Sequence, residues 1–503
     1  MEKTLRERRG AFFTPAIWAD KSKAYLEKVF GADWQDEYYI WDCAAGTGNL
    51  LAGLANKDNL WASDIDAGSI NTIRELIGGG FNLLPNHVFQ FDFLNDDLKK
   101  LPAELQNIIG DPEKRRKLIV YINPPYAEAT STKVIIGTGK SKLSVSTQYA
   151  SHAEYKETLG KASNEIFSLF MMRIADKLAG AHLAVFSKLK YINASNFAKF
   201  RENFSAQFQK GFICPSVTFD NVSGKFPIGF LIWRLSHNGY EFKFPKTISL
   251  DVFNHDGKCS GRKSFYNKQK YINRWIKEYD IYQTDTIGFM GNYGADFLRT
   301  HQPYITVNEG THHINYFGFH RKNIIEGCIY FAVRLCIEPA WINDRDQFLY
   351  PNDNYKTDTE FRHDCLAFTL FHGQNRISCT GGVNHWIPFA EKDVDAKEKF
   401  ASNFMSSFLK GKTFSEEASA VLSAGKALWK YFHDKIKDNK TISVNASFYD
   451  IREYFQGRKE SGIMNVKSAD KDYNGLIKTL RDALKVLAKK IEPKVYEYGF
   501  LKE

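Results

Sequence analysis

The sequence predicts an α/β chain whose first half folds as a doubly wound, mostly parallel sheet, followed by an α+β region and a helical C-terminal module. Three observations carry that prediction. Short apolar runs at 38–41, 60–63, 87–91 and 118–122 recur at the spacing of αβ units. Each run stops at polar residues, as strands do at the ligand-binding edge of an open α/β sheet. From Asp393 onward the pattern changes to amphipathic stretches rich in Lys, Ala and Leu.

At 503 residues the chain exceeds one ordinary core, and two or three domains are expected. The expected divisions are 1–236, carrying the sheet, then 237–390, then 391–503. The formal net charge of +10 suits a polyanionic partner. Seven cysteines are scattered singly, without C-x-x-C spacing or histidines at zinc-ligand intervals. That usage points to reduced thiols in a cytosol-like compartment, with no metal. The doublet His312-His313 reads as a loop pair. The N-terminal MEKTLRERRG lacks the apolar core of a signal peptide. No apolar run approaches the roughly 18 residues of a membrane span, so a soluble, unexported protein is expected.

In chain order, Gly10-Ala-Phe-Phe-Thr-Pro15 leads into a helix over 16–30, with Pro15 in its first turn and Thr14 as its cap. The first strand runs into Asp42-Cys-Ala-Ala-Gly-Thr-Gly-Asn49 and a helix over 50–55, an arrangement that brings backbone N–H groups against a ligand. The loop has G-x-G without a third glycine, which favours a cofactor smaller than a dinucleotide. The second strand ends in Asp64-Ile-Asp66, eighteen residues after Gly46, where doubly wound folds place the acid that binds ribose hydroxyls. The third ends in Asp92-Phe93, an acid and a ring suited to an adenine's amine and face. Any one of these acids is more often a helix cap or a loop residue. Strand ends in register at this spacing make a site.

The fourth run ends in Asn123-Pro124-Pro125-Tyr126. Consecutive prolines cannot donate to a sheet and hold φ near −65°, so the carbonyl of Pro124 stays free beside the amide oxygen of Asn123. Two acceptors then face one point. A planar amine held there gives both hydrogens to protein, which aims its lone pair at an electrophile. Tyr126 offers a ring for a flat base to stack on, worth about 1–3 kcal/mol. A plain strand-ending turn is the competing reading of Asn-Pro-Pro.

GAFFTP, DCAAGTGNL, SDID, FDF and NPPY, in that order, resemble the motifs of adenine-specific DNA methyltransferases that use S-adenosylmethionine, in the γ arrangement. The resemblance covers about the first half of the chain. It implies a Rossmann-like class I methyltransferase domain that transfers a methyl group to the N6 amine of an adenine flipped out of double-stranded DNA. It implies that Phe13, Thr14, Pro15, Asp42, Ala44, Gly46, Gly48, Asp64, Ile65, Asp92 and Phe93 bind the cofactor. Asp42 would hold the donor's amino-acid portion, Asp64 its ribose and Asp92 its adenine. Asn123, Pro124, Pro125 and Tyr126 would form the catalytic element. An aromatic farther on would be the second wall of the base pocket, opposite Tyr126; Phe226 is the first choice and Phe219 the second, with core packing as the alternative for both.

Residues 127–162, rich in Lys, Ser, Thr and Gly, read as a mobile loop that either closes over the base or is a surface insertion. A helix is expected over 164–178, a strand over 181–186, a helix over 196–204 and a hairpin over 217–233. From Lys258 to Lys277 the chain carries basic residues and no acid, interleaved with Phe265, Tyr266, Tyr271 and Trp275. Arg262, Lys263, Lys268, Lys270 and Arg274 are therefore candidate DNA-backbone contacts, the alternative being a solvated face over core aromatics. The aromatic-rich middle, with strand-like runs at 327–336 and 365–371, sits where the resemblance places target recognition. Amphipathic stretches at 396–409, 415–436 and 475–491 form the helical module. Methylation of RNA or of a protein amide is the main rival, because NPPY suits any planar nitrogen. A fused nuclease finds only nine residues upstream of GAFFTP and no P-D…E-x-K arrangement downstream, so it is not expected; double-stranded DNA is the expected partner, and a methylase subunit working with a separate restriction endonuclease is a further alternative. A cytoplasmic monomer of bacterial or phage origin completes the expectation.

Overall fold

The structure is a computed structural model that describes residues 13–126, 149–220, 222, 224–237, 241–267, 270–280, 285–292, 294–297, 303–309 and 315–502. It forms two compact units, Met1–Lys268 with Ala340–Arg345 and Gln269–Pro339 with Asp346–Glu503.

The first unit is built on a nine-stranded sheet. Its strands are β1 (Tyr39–Asp42), β2 (Leu60–Asp64), β3 (Val88–Gln90), β4 (Leu118–Ile122), β5 (His182–Lys188), β6 (Ala206–Pro215), β7 (Pro227–Leu235), β8 (Thr247–Phe253) and β9 (Cys259–Tyr266). Their spatial order is β3-β2-β1-β4-β5-β7-β6-β8-β9. The first five are parallel, and β7 lies antiparallel between β5 and β6. The chain steps outward from β1 to β3 and then returns to place β4 on the other side of β1. That reversal opens a crevice at the carboxyl ends of the strands. The sheet is thus mixed and mostly parallel, a Rossmann-like doubly wound α/β arrangement.

Alternation along each strand separates two cores. Leu118, Val120 and Ile122 enter one, with Trp41 and Trp61. Ile119 and Tyr121 enter the other, with Ile40, Leu60 and Ala62. A strand buried on both faces needs the unbroken apolar run that β4 shows. Helix α1 (Ala16–Phe30) packs Trp18, Tyr25 and Leu26 into the second of these cores, and the hydroxyls of its Ser22 and of Tyr121 meet at 2.5 Å. Among the described residues the other helices of six residues or more in this unit are α2 (Ala67–Gly78), α3 (Ala103–Gly110), α4 (Ala150–Leu159), α5 (Ile166–Lys177) and α6 (Ala198–Asn203).

Several expectations need correction. The sheet runs past residue 236 through β8 and β9, so the expected boundary falls inside it. The expected hairpin has its first strand at β6, not at 217. The outer half of β6 carries Gln207, Gln209 and Lys210 at exposed or half-exposed positions, and so lacks the apolar signature of a strand. No helix follows the G-x-G loop: the N–H groups of Leu51 and Ala52 return to the Gly48 carbonyl for a single turn, and the chain then passes through Gly53 at φ +76°. Thr14 does not cap α1; Pro15 holds the N-cap position without a side-chain bond. Of the expected 127–162 loop, residues 127–148 lie outside the described residues, and the rest is α4 and a 3-10 turn over Gly160–Asn164.

The second unit pairs a small antiparallel sheet with helices around one core. Strands β10 (Gly288–Asn292), β11 (Tyr304–Thr306) and β12 (Asn315–Phe319) stand in the order β11-β10-β12. Among the described residues its helices of six residues or more are α7 (Ile272–Lys277), α8 (Ile324–Leu335), α9 (Thr359–Phe371), α10 (Glu416–Ile436), α11 (Phe448–Gln456) and α12 (Lys471–Glu497). A single hydrophobic cluster extends in sequence from Ile272 to Leu501, so 237–390 and 391–503 are not separate bodies. The runs at 327–336 and 365–371 are helical, not strands. Both helices are buried around nearly their whole circumference, which erases the 3.6-residue alternation that would have marked them. Of 396–409 only Phe404–Phe408 is helical. The N–H groups of Phe400 and Ala401 are instead taken by the side chains of Glu391 and Asn445. Among the described residues no helix is long and apolar enough to cross a membrane. All seven cysteines are free.

Candidate active site

At the carboxyl edge of the first unit's sheet lies a cleft lined by Phe13, Thr14, Asp42, Ala44, Gly46, Asp64, Ile65, Asp92, Phe93, Asn123 and Pro125. These are eleven of the residues singled out from sequence, drawn from five separate motifs. Pro15, Gly48, Pro124 and Tyr126 are not on its lining. Gly48 acts on the loop's shape. It turns at φ +83°, and a Cβ there would stand 3.3 Å from the Phe81 ring, so only glycine makes this turn without strain.

The strand ends carry the charge. Asp42, the last residue of β1, is 1% exposed, and its Oδ1 accepts the Ala44 N–H at 3.1 Å. Burial pushes its carboxyl well above the usual range despite that bond, and the nearby Asp64 pushes the same way. Asp64 Oδ2 accepts the Gly46 N–H at 2.9 Å while Oδ1 accepts the Asp66 N–H at 2.9 Å, which ties the glycine loop to the end of β2. Asp66 caps α2, its Oδ2 taking the Ser69 N–H at 2.9 Å and the Ser69 hydroxyl at 3.0 Å. The two acids of Asp64-Ile-Asp66 are thus divided between site and helix cap. Ile65 between them is 39% exposed, an apolar edge at the cleft.

The Asp92 carboxylate takes the Leu94 N–H at 3.1 Å and the Asn95 amide at 2.7 Å. Phe93 is a buried wall rather than an open stacking face. Its ring lies parallel to Phe170 at 5.3 Å and edge-on to Trp41 at 5.6 Å.

A chain of hydrogen bonds joins the first motif to the last. The Thr47 hydroxyl donates to Asn49 Oδ1 at 3.0 Å, and Asn49 Nδ2 donates to the Thr14 carbonyl at 3.2 Å. Asn123 Nδ2 donates to Thr14 Oγ1 at 2.9 Å, and the Tyr126 hydroxyl donates to Asn123 Oδ1 at 2.6 Å. The Asn123 amide is thereby held from both ends. Tyr126 itself is 4% exposed and packed in the core, and burial raises its hydroxyl pKa. The expected open stacking ring is here an internal strut. Its carbonyl accepts the Lys188 ammonium at 2.6 Å. Lys188, at the end of β5, also faces the buried Glu165 at 3.6 Å, which Lys190 pairs at 2.6 Å.

Phe226 is half-buried and packs against the core that contains Tyr126, with the Arg345 guanidinium over its ring at 5.5 Å. Phe219 is core, edge-on to Phe186 at 6.2 Å. The basic segment does not form one element. Arg262 and Lys263 lie on β9 of the first unit, Arg262 paired with Asp251 at 3.3 Å and Lys263 over Phe265 at 5.8 Å. Lys270, over Tyr350 at 5.6 Å, and the exposed Arg274 on α7 belong to the second unit. Lys268 lies outside the described residues. Phe265 and Trp275 are buried in separate cores, so these aromatics serve packing.

Sequence reasoning missed Thr47, Asn49, Phe170 and Lys188. Asn49 ends the DCAAGTGN stretch and was open to notice as an amide beside a glycine turn. Phe170 lies in a helix whose residues are buried throughout its first nine positions and carries no distinguishing signal.

No family model and no curated protein matches the chain. Solved structures similar to part of it include a DrdV–DNA complex, at 16% identity and TM-score 0.36 over 50% of this chain and 28% of that one. The methyltransferase subunit of a type I restriction-modification system from Streptococcus thermophilus is similar at 14% identity and TM-score 0.32, over 48% and 47% of the two chains. The type IIG restriction endonuclease BpuSI is similar at 19% identity and TM-score 0.34, over 50% and 28%. The similar part therefore spans less than half the length of each of these three chains, and likeness of this degree assigns no activity to the present one.

Proposed function

We propose that the chain is a site-specific DNA methyltransferase that moves a methyl group from S-adenosylmethionine to the exocyclic N6 amine of adenine in double-stranded DNA. The observation that carries this reading is the Asn123 amide, fixed on the cleft by Thr14 and Tyr126. An amide oxygen has two lone pairs. Tyr126 donates to this oxygen, and an amine hydrogen is a chemically suitable donor to the same group, with the carbonyl of Pro124 as the second acceptor.

The cleft also fits the donor. Asp42 is a buried carboxyl beside a second carboxylate, an arrangement that gains from a bound cation. The donor's ammonium and sulfonium supply such charge. Ile65 offers an apolar edge for a base, and the carboxylates of Asp64 and Asp92 offer acceptors for hydroxyl and amine hydrogens.

S-adenosylmethionine supplies an electrophilic methyl group on sulfur that needs no further activation. The chain's residues orient the nucleophile. Adenine's amine is weak because its lone pair is delocalised into the ring, and hydrogen bonds from both N–H groups to Asn123 and Pro124 favour the more tetrahedral nitrogen of the transition state. A new N–C bond forms as the S–C bond breaks, and the amine's spare proton leaves to solvent. Flipping the base costs a few kcal/mol, to be offset by contacts in the pocket. Of the candidate second walls, Phe226 is retained and Phe219 is assigned to the core. Double-stranded DNA is the proposed partner, and work alongside a separate restriction endonuclease is the alternative.

The test is transfer of tritium from labelled S-adenosylmethionine to unmethylated genomic DNA, with Asn123→Ala in parallel and nucleoside analysis of the product. Label in N6-methyladenine that disappears in the variant supports the reading. Measurable cofactor binding with no label in DNA, but label in RNA or protein, would replace it.

A further inference from the structure

The second unit holds a cavity of its own, with about 2110 Å³ of space including its open mouth. It lies where α8, α9, α11 and α12 come together, and its apolar surface includes Phe297, Phe371, Phe448 and Ile477. Six cations line it, Arg334, Arg452, Lys467, Lys478, Arg481 and Lys485, against three carboxylates, Asp296, Glu338 and Asp482.

Their partners are unusual. Arg334 gives its two Nη groups to the carbonyls of Gly294 and Asp296, each at 3.0 Å, and its buried Nε has no hydrogen-bond partner. Arg452 makes one long bond of 3.3 Å to the Gly373 carbonyl and lies over Phe448 at 5.5 Å; its buried Nε also has no partner. Among the described residues no carboxylate pairs with Arg452, Arg481 or Lys485, whereas the neighbouring Lys478 is paired with Asp482 at 2.5 Å. Burial, with Arg481 and Arg376 close by, pulls the Arg452 pKa below its ordinary value. Guanidinium groups withdrawn from water without a counter-charge are costly. A phosphate matches their fork of donors, and the apolar wall that Phe297, Phe371, Phe448 and Ile477 form beside them suits the flat body of a base.

We propose that this cavity binds a nucleotide, with the phosphate on Arg452 and Arg481 and the base in the apolar part of the cavity. The nucleotide is either free or part of a nucleic-acid strand. The site is separate from the methyl-transfer cleft and does not depend on that reading.

Calorimetric titration of the full chain with thymidine monophosphate, thymidine, inorganic phosphate and an eight-residue oligothymidylate tests this. Thymidine monophosphate is expected to bind at least tenfold more tightly than thymidine or phosphate, and Arg481→Ala to weaken it tenfold or more. Arg452→Met should act in the same direction, but Arg481 is half-exposed, so its variant decides the matter if loss of Arg452 prevents folding. Binding of the oligonucleotide alone, with the same dependence on Arg481, assigns the site to a strand. Equal binding of inorganic phosphate, or binding of both nucleotide probes that is indifferent to Arg481→Ala, overturns the proposal, as does no binding by either. The titration contains no methyl donor, so its failure and a failure of the methyl-transfer reading are told apart.

Discussion

Replacing Thr14 with valine tests whether its hydroxyl positions the Asn123 amide. Thr14 is 2% exposed and its Oγ1 accepts Asn123 Nδ2 at 2.9 Å. Valine keeps the branched shape and removes the acceptor. Asn123 is half-buried, so loss of this bond costs about 0.5–1.5 kcal/mol. At about 1.4 kcal/mol per factor of ten, that would slow transfer by about 2- to 12-fold. The Tyr126 hydroxyl still anchors the amide oxygen, so the expected fall in kcat lies within that range. The KM for S-adenosylmethionine should change by less than about threefold, because an interaction that orients the nucleophile acts on the chemical step. Thr14→Ser restores an oxygen at the same place and should return most of the rate. The assay is steady-state transfer of labelled methyl to DNA, with cofactor affinity measured separately. Full kcat in the valine variant, or equal losses in valine and serine, would refute the claim that this hydrogen bond orients the catalytic amide.

Asp42 sets a pH dependence whose sign follows from its raised pKa: in the ligand-free fold its stabilising contribution is greatest below the usual carboxylate range and is lost as pH rises through the raised value. A cationic ligand prefers the ionised form, so affinity for S-adenosylmethionine should climb with pH through that same window and release a proton on binding. Asp42→Asn should raise the ligand-free Tm near neutrality, weaken binding and flatten its pH profile, as thermal melts and calorimetry in two buffers would show. An affinity already independent of pH in the parent protein would contradict this. Tyr126→Phe removes only the hydroxyl that holds Asn123 and should lower kcat by up to about tenfold, for a bond worth about 0.5–1.5 kcal/mol. Tyr126→Ala also deletes a buried ring, at a cost of about 3–5 kcal/mol, and should lower Tm as well; an undiminished rate in the phenylalanine variant would show that the hydroxyl does not orient the amide.

The parts of the fold legible in the sequence are those where local pattern and burial agree. β4 is a bare apolar run because both its faces are covered, and α10 is announced by Ser415, whose hydroxyl takes the Ala418 N–H. Illegibility has equally local causes. α8 and α9 are so completely enclosed that their apolar runs show no face, and period then cannot separate a helix from a strand. β6 fails the other way, with its outer half too polar to look like part of a sheet. The basic stretch after Lys258 looked continuous in charge, but its aromatics are the buried residues of two different cores. Spacing along the chain carries no sign of that break.

In the site, residue types were legible and their connections were not, because the connections depend on strand register. β1 and β4 pair in parallel with Tyr39 beside Leu118 and Trp41 beside Val120, which sets Asp42 level with Tyr121. Asn123 then lies two residues farther along the same edge, about 6–7 Å at the rise of a parallel strand. The carboxyl suited to a cation and the amide suited to an amine are therefore spaced by the sheet itself. A slip of one residue would change the spacing and turn Asn123 to the other face. The same register explains Thr14, which lies 109 residues before Asn123 in sequence and yet bonds to it: the chain enters the unit across the edge where β1 and β4 end, and Asn49 of the glycine loop holds its backbone there. A motif at the start of the chain can thus act on the amide at the end of β4 without touching the strands between them, provided that the switch point between β1 and β4 brings both to one edge.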